Sequence, residues 1–408
     1  MRIAFTTPEY VTSRRCEGGL ANYLKKTAHS LAERGCDVWV FVLSDQNNLW
    51  SDGKVTICEV ASSNIFNMSI SKKIPYINLI YQALSQKLNS RKLAEKFWAV
   101  HCQKPFDIIH ASSYKATGYS LLKNCRVPVV CRVSSYTPIV RSAYGYRRGL
   151  AEYLSDWLEL RQVADADAVF APSSLTARYF ELVEGIKLNV IRTQPESLQI
   201  DMDNSFFEAH RPSGRFLLYF GTLSRIKGAD LLAEALPSIF AKYSDVSCIF
   251  IGRDDGLPSG EKLFPFIKTR CGEFSSRLSY FSPLDKSKLF PFIFHSEAVL
   301  IPSRVDNCPN ACLEAQMFGK PVIGTYESSL DEMVVDGETG FLARNDDPVS
   351  IQNAIDRYLC LAEDAKMTMR QKILDHLGSI DNEDRIGKLL VFYKDTMDRF
   401  VTHGRYTQ

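Results

Sequence analysis

The feature that most constrains this chain is an alternation of short, apolar, β-branched runs with amphipathic stretches of helical length. In the first half, Arg2–Thr6, Val38–Leu43, Phe106–His110, Val127–Val133, Ala168–Ala171 and Asn189–Ile191 read as strands. Leu20–Arg34, Leu84–Cys102 and Tyr153–Ala164 lie between them and carry helical periodicity. Strands alternating with helices imply βαβ crossovers and a parallel sheet. Glu196–Gly214 is polar and irregular and interrupts the pattern. The alternation then restarts, with strands at Phe216–Gly221, Ser247–Gly252, Leu278–Phe281, Ala298–Pro302 and Pro321–Gly324. Helices follow at Ala229–Tyr243, Lys286–His295, Asn310–Phe318 and Pro348–Ala362.

The expectation is an α/β protein of two Rossmann-like domains, residues 1–200 and 201–380. The 408-residue length suits two domains. A last helix is expected over Asp381–Phe400, within a tail of residues 381–408 that could pack back on the first domain.

Charge excludes one class of function. The formal net charge is only +2, which argues against a general nucleic-acid binder. The two halves differ, however. Residues 1–200 hold 25 Lys and Arg against 17 Asp and Glu, whereas residues 201–408 hold 24 against 30. A basic first half suits an anionic partner, such as a membrane surface or a lipid-phosphate acceptor. Ser69–Leu88 mixes Lys with Ile, Tyr and Leu. It reads either as a membrane-touching segment or as a helical excursion packed on the first domain. The eleven cysteines are scattered, with neither C-x-x-C pairs nor zinc spacing. The first fifteen residues lack the apolar run of a signal peptide, and no window looks like a membrane span. A cytoplasmic location is expected, with peripheral contact at the membrane face as an option.

Three motifs carry candidate chemistry. Glu17-Gly18-Gly19 precedes a helix, where paired glycines admit a ligand close to the backbone. It is not G-x-G-x-x-G, which counts against a dinucleotide oxidoreductase. Gly221-Thr-Leu-Ser-Arg225-Ile-Lys227-Gly228 joins a strand to a helix with two cations in the turn. A planar guanidinium and a point ammonium beside a helix start suit a diphosphate. The third runs from Pro302 to Gly324 and includes Asp306, Asn307, Cys308, Pro309, Asn310 and Glu314. Pro309 fits the first position of a helix. Asp306 and Glu314 are carboxylates that can each accept from vicinal sugar hydroxyls.

This third segment, S-R-V-D-N-C-P-N-A-C-L-E-A-Q-M-F-G-K-P-V-I-G, resembles the E-x7-E region of the family-4 retaining glycosyltransferases. The G-x-L-x-x-x-K-G loop before it strengthens the likeness, as do Ala166–Ser173 and Asp336–Leu342. The resemblance covers essentially the whole chain. It implies a GT-B fold, in which two Rossmann-like domains face each other across a cleft. It implies that Gly18 and Gly19 line the donor phosphates and that Arg225 and Lys227 neutralise the diphosphate leaving group. Asp306 and the Asn307–Asn310 backbone would hold the donor sugar, and Glu314 the ribose. Ser282 and Leu284, in the Phe281–Leu284 loop, would meet the base. No metal or other cofactor is implied, because cationic side chains and helix ends take that place.

Three positions depart from the family pattern: Asp306 for the usual Glu, Thr222 where many relatives have Arg, and Ser134 where relatives often have His. His110 is a positional candidate for the acceptor side together with Ser134, although a histidine packed at a strand end reads equally well. The implied activity is retaining transfer of a sugar from a nucleotide sugar to a glycan or lipid-linked acceptor, in surface polysaccharide or glycoconjugate synthesis. The alternatives are an epimerase-type reaction on the same fold and a non-catalytic nucleotide-sugar-binding partner.

Overall fold

A computed structural model of the protein describes residues 1–11, 19–63, 77–122, 126–145, 149–193, 202–381 and 384–402. Gly18 and residues 69–76 of the mixed basic–apolar stretch lie outside these.

The chain forms two compact units. The first comprises Met1–Pro138, Arg147–Gln194 and Asp384–Gln408; the second comprises Ile139–Tyr146 and Pro195–Glu383. The C-terminal tail thus joins the first unit, and a short segment from the first half of the sequence joins the second.

In the first unit the strands are β1 (Arg2–Thr7), β2 (Asp37–Ser44), β3 (Asn48–Asp52), β4 (Val55–Ala61), β5 (Ile108–Ser112), β6 (Val129–Arg132), β7 (Ala168–Ala171) and β8 (Asn189–Val190). They make one sheet in the order β3-β4-β2-β1-β5-β6-β7-β8. All pairings are parallel except β3 with β4. The main helices are α1 (Gly19–Glu33), α2 (Ile77–His101), α3 (Tyr119–Leu122), α4 (Thr137–Tyr144, which ends in the second unit), α5 (Leu150–Asp165) and α6 (Ser174–Tyr179).

Alternate strand residues feed two cores. Ile3, Phe5, Val38, Val40 and Ile108 pack with α1 on one face. Ala4, Phe41, Ile109 and Ala111 pack with Leu93 and Phe97 of α2 on the other. A strand covered on both faces must be apolar throughout, which is why these strands read as continuous hydrophobic runs. The β3–β4 hairpin was missed in the sequence because β3 is a solvent-facing edge. Its Asp52-Gly53 turn was the available signal, with Gly53 at φ +59°.

The second unit repeats the scheme. Its strands are β9 (Arg215–Phe220), β10 (Leu223–Ser224), β11 (Val246–Ile251), β12 (Asp254–Gly256), β13 (Leu278–Phe281), β14 (Ala298–Ile301), β15 (Val322–Thr325) and β16 (Gly340–Ala343). Six of them form a parallel sheet in the order β13-β11-β9-β14-β15-β16, and β10 pairs with β12 apart from it. The helices are α7 (Asn204–His210), α8 (Leu232–Lys242), α9 (Leu263–Cys271), α10 (Lys286–His295), α11 (Asn310–Met317), α12 (Pro348–Leu359) and α13 (Glu363–Asp381). Helix α7 occupies part of the stretch expected to be irregular. Leu217, Tyr219 and Phe250 face α8, α9 and α12. Phe216, Leu218 and Ile249 face α10 and α11.

The last helix, α14 (Arg385–Thr402), closes the first unit. Its Ile386, Leu389 and Tyr393 enter the same core as α1. The buried Arg385 guanidinium donates to the Thr193 carbonyl. Among the described residues no helix is long and apolar enough to cross a membrane.

Candidate functional site

The six-stranded sheet changes winding direction between β9 and β14, which are neighbours in space but far apart in sequence. Loops leaving the carboxyl ends of two such strands run to opposite faces, and that divergence is where open α/β sheets bind ligands. The loop after β9 holds Arg225 and Lys227, and the loop after β14 holds Arg304 and Asp306.

These loops are pressed together. Gly228 has φ +70°, and a Cβ placed there would lie 1.8 Å from the Pro302 carbonyl oxygen. Only glycine permits both this backbone and this approach. The contact lets Lys227 Nζ form a direct ion pair with Asp306 Oδ2. Asp306 Oδ1 also accepts from its neighbour's Asn307 N–H at 2.9 Å. The Asp306 side chain is 11% exposed and that of Lys227 37%, so the pair stands at an edge open to solvent. Arg225 lies next to it, with Nε donating to the Ala143 carbonyl at 3.2 Å and Nη1 3.8 Å from Asp230 Oδ2.

Pro309 is the residue immediately before α11 rather than its first helical residue. Asn310 opens the helix, and Cys308 is half-buried ahead of it. Glu314 lies on α11 and pairs with Lys286 Nζ at 3.2 Å. Lys286 is the first residue of α10, directly after the loop that carries Ser282 and Leu284. Ser282 is exposed, while Leu284 is half-buried against the core. The structure thus brings Arg225, Lys227 and Asp306 together, and separately brings the Leu284–Lys286 segment to Glu314.

Lys286, Arg304 and Asp230 were not found in the sequence. Arg304 is buried and forks onto Asp230 at 2.7 and 2.9 Å. Burial works against its charge, but the Asp230 and Asp346 carboxylates outweigh it and hold the guanidinium pKa above its usual value. Each of these pairings joins residues distant in sequence, so no local spacing announces it.

In the first unit the corresponding change of winding direction lies between β1 and β5. Gly19 is the exposed first residue of α1. Ser134 follows β6; its N–H donates to Ser113 Oγ at 3.2 Å, and its Oγ accepts from Arg132 Nη1 at 3.0 Å. A small recess beside it is lined by Ser113, Ser135, Tyr136, Thr137, Asp156 and Glu159. Glu159 accepts from Lys115 N–H at 2.8 Å and Thr137 Oγ1 at 2.6 Å.

His110 is not on this surface, which corrects its reading as an acceptor-side residue. It is 1% exposed. Its ring lies 4.6 Å from Phe5 and 5.5 Å from Phe170 between centroids, and Nδ1 meets Tyr393 Oη at 2.5 Å. Burial, aided by the Arg132 charge, pushes its pKa down to about 3. A neutral ring enclosed in this way serves packing.

The chain matches two family models: Glycosyltransferase Family 4 over residues 17–195 and Glycosyl transferases group 1 over residues 214–360. It is 22% identical to the D-inositol 3-phosphate glycosyltransferase of Corynebacterium diphtheriae, over 100% of this chain and 98% of that protein. It is 23% identical to the protein of that name from Acidothermus cellulolyticus, over 87% and 81%. Sucrose-phosphate synthase from Thermosynechococcus elongatus superposes with a TM-score of 0.77 at 17% identity, covering 98% of this chain and 99% of that one. An α,α-trehalose-phosphate synthase (UDP-forming) from Burkholderia xenovorans, in complex with glucose-6-phosphate, gives 0.71 at 12% identity, covering 96% and 99%. With both halves matched by family models and the two-unit fold shared with these synthases, the chain belongs to the group 1, family 4 glycosyltransferases and has the GT-B fold.

Proposed function

We propose that this glycosyltransferase moves a hexosyl group from a nucleoside diphosphate sugar to an acceptor hydroxyl, with retention of anomeric configuration. The observation that carries the donor assignment is the meeting of Arg225, Lys227 and Asp306 where β9 and β14 diverge. As the bond from the anomeric carbon to the diphosphate breaks, negative charge grows on the departing oxygen. Arg225 and Lys227 stabilise that charge. Preorganised groups of this type are worth about 3–4 kcal/mol each. Asp306 accepts from hydroxyls of the transferred sugar, and Glu314 from those of the ribose. The acceptor oxygen bonds to the anomeric carbon on the face the diphosphate leaves. Its proton passes to the departing diphosphate, so the step needs neither a protein nucleophile nor a metal.

Two features support an anionic acceptor. The first half of the chain carries the basic surplus, and the names of the relatives include an inositol phosphate. A phosphorylated polyol or sugar fits both, and so does a lipid diphosphate at a membrane face in glycoconjugate synthesis. Ser134 and Thr222 stand at positions where relatives often differ, which favours a non-catalytic nucleotide-sugar-binding partner as the second reading.

One experiment separates the readings. Purified protein is screened by thermal shift and donor hydrolysis against a panel of nucleotide sugars, with and without inositol phosphate and glucose phosphate. Product formed with one donor and acceptor supports the proposal, and NMR of the new linkage reports its configuration. Stabilisation without turnover for any acceptor supports the non-catalytic reading. No stabilisation by any nucleotide sugar or nucleoside diphosphate would sink the donor assignment.

A further inference from the structure

Arg304 cannot itself meet a ligand, because its side chain is 8% exposed. From its own place in the loop following β14 it nevertheless touches the loops following β9 and β16. Its N–H donates to the Ile226 carbonyl at 2.8 Å. Nη1 donates to the Arg225 carbonyl and, at 2.7 Å, to Asp230 Oδ1. Nη2 donates to Asp230 Oδ2 at 2.9 Å and Nε to Asp346 Oδ1 at 2.7 Å. The Arg304 carbonyl accepts from Asn345 Nδ2 at 2.8 Å. Loops following β9, β14 and β16 therefore converge on this residue. Asp346 adopts φ +59° where it meets Arg304, a conformation that non-glycine residues keep only when their surroundings enforce it.

The decisive atom is Asp230 Oδ2. It lies 2.9 Å from Arg304 Nη2 and 3.8 Å from Arg225 Nη1. Two guanidiniums thus compete for one carboxylate, and the buried one holds it in a bidentate fork. Fork geometry is the stronger arrangement, and a carboxylate only 12% exposed demands a partner.

We propose that Arg304 is a positioning residue for donor binding: by occupying Asp230 and the Arg225 carbonyl, it keeps the Arg225 guanidinium available to the donor diphosphate. This rests on the donor-site reading above. Without Arg304, Asp230 draws Arg225 in, and the phosphate-binding charge is cancelled from within the protein.

The test compares nucleoside diphosphate with nucleoside. Affinities are measured by calorimetry for whichever of UDP, GDP and ADP binds the wild-type chain best, and for the matching nucleoside. Arg304→Met is expected to weaken the diphosphate by roughly tenfold or more while leaving the nucleoside nearly unchanged. The double variant Arg304→Met with Asp230→Asn removes the competitor and is expected to recover most of that loss. A residue with a merely structural role would not show this recovery. Equal losses for diphosphate and nucleoside, or no recovery in the double variant, would overturn the proposal. If Arg304→Met does not fold, Asp230→Asn alone decides. Diphosphate affinity held or raised relative to nucleoside supports the proposal, and a selective fall overturns it. Lys227→Ala is the control for the donor site itself. Unchanged diphosphate affinity in that variant overturns the donor reading and this inference with it, whereas a loss there with none in Arg304→Met overturns the inference alone.

Discussion

Lys227 and Asp306, 79 residues apart in sequence, are joined by a direct ion pair at the carboxyl edge of the second sheet. The pair gives each partner a second task. Lys227 is held at the loop edge where the proposed function puts the diphosphate, and Asp306 is held with one oxygen on the ammonium and the other on the Asn307 N–H. Replacing Lys227 by Ala is expected to lower turnover by about a hundredfold or more, the usual effect of removing one preorganised charge donor. The check is the rate of nucleoside diphosphate release, with circular dichroism confirming the fold.

Gly228 tests how tightly the loops must approach. Gly228→Ala adds a Cβ 1.8 Å from the Pro302 carbonyl at φ +70°, whereas Gly185→Ala at φ +67° meets nothing within 4 Å. The second substitution isolates the backbone cost, about 1 kcal/mol or somewhat more. The first is expected to cost upwards of about 3 kcal/mol, in the range of strained or overpacked sites. Denaturant midpoints of the two variants measure the difference.

His110 makes the first unit sensitive to acid. Its pKa lies near 3 in the folded chain against about 6.5 when unfolded. Between those values the unfolded state binds more protons, so stability falls as pH drops from 6.5 toward 3. The slope from this residue approaches about 1.4 kcal/mol per pH unit. His110→Phe is expected to flatten that part of the profile, read as melting temperature between pH 7 and 4. An unchanged slope would refute the assignment.

Helix α14 is expected to be obligatory for the first unit, although it lies nearly 200 residues beyond the rest of it. Tyr393 is 0% exposed and bonds His110. Tyr393→Ala should cost about 3–5 kcal/mol, as for other large buried aromatics. Truncation after residue 383 should leave the first unit unfolded or aggregated. The Arg34–Asp384 pair at 2.6 Å is half-exposed on both sides, so Asp384→Ala should change stability by less than about 1 kcal/mol. Thermal denaturation of the three variants ranks the contributions.

Lys286 offers a direct check on the ribose side. It binds Glu314 at 3.2 Å across the start of α10. Lys286→Met leaves Glu314 12% exposed without that cation and should change the KM for the donor several-fold more than kcat. A fall in kcat with KM unchanged would place Lys286 in the chemical step instead.

The sequence by itself determined the α/β class and the two doubly wound sheets. Parallel strands buried on both faces must be written as apolar runs, and crossover helices must be written with one apolar face, so both survive in local pattern. The Gly221–Gly228 loop and the Pro302–Gly324 segment were legible for the same reason, because turn, cation and helix start follow one another within a few residues. Tertiary structure alone decided which partners these groups found. Lys227 chose Asp306, Glu314 chose Lys286, and Asp230 was taken by Arg304 rather than Arg225. His110 went into the core because α14, 283 residues away at Tyr393, covers it. Such pairings depend on where the fold sets loops and helices remote in the chain, and nothing in the spacing of neighbouring residues encodes that distance.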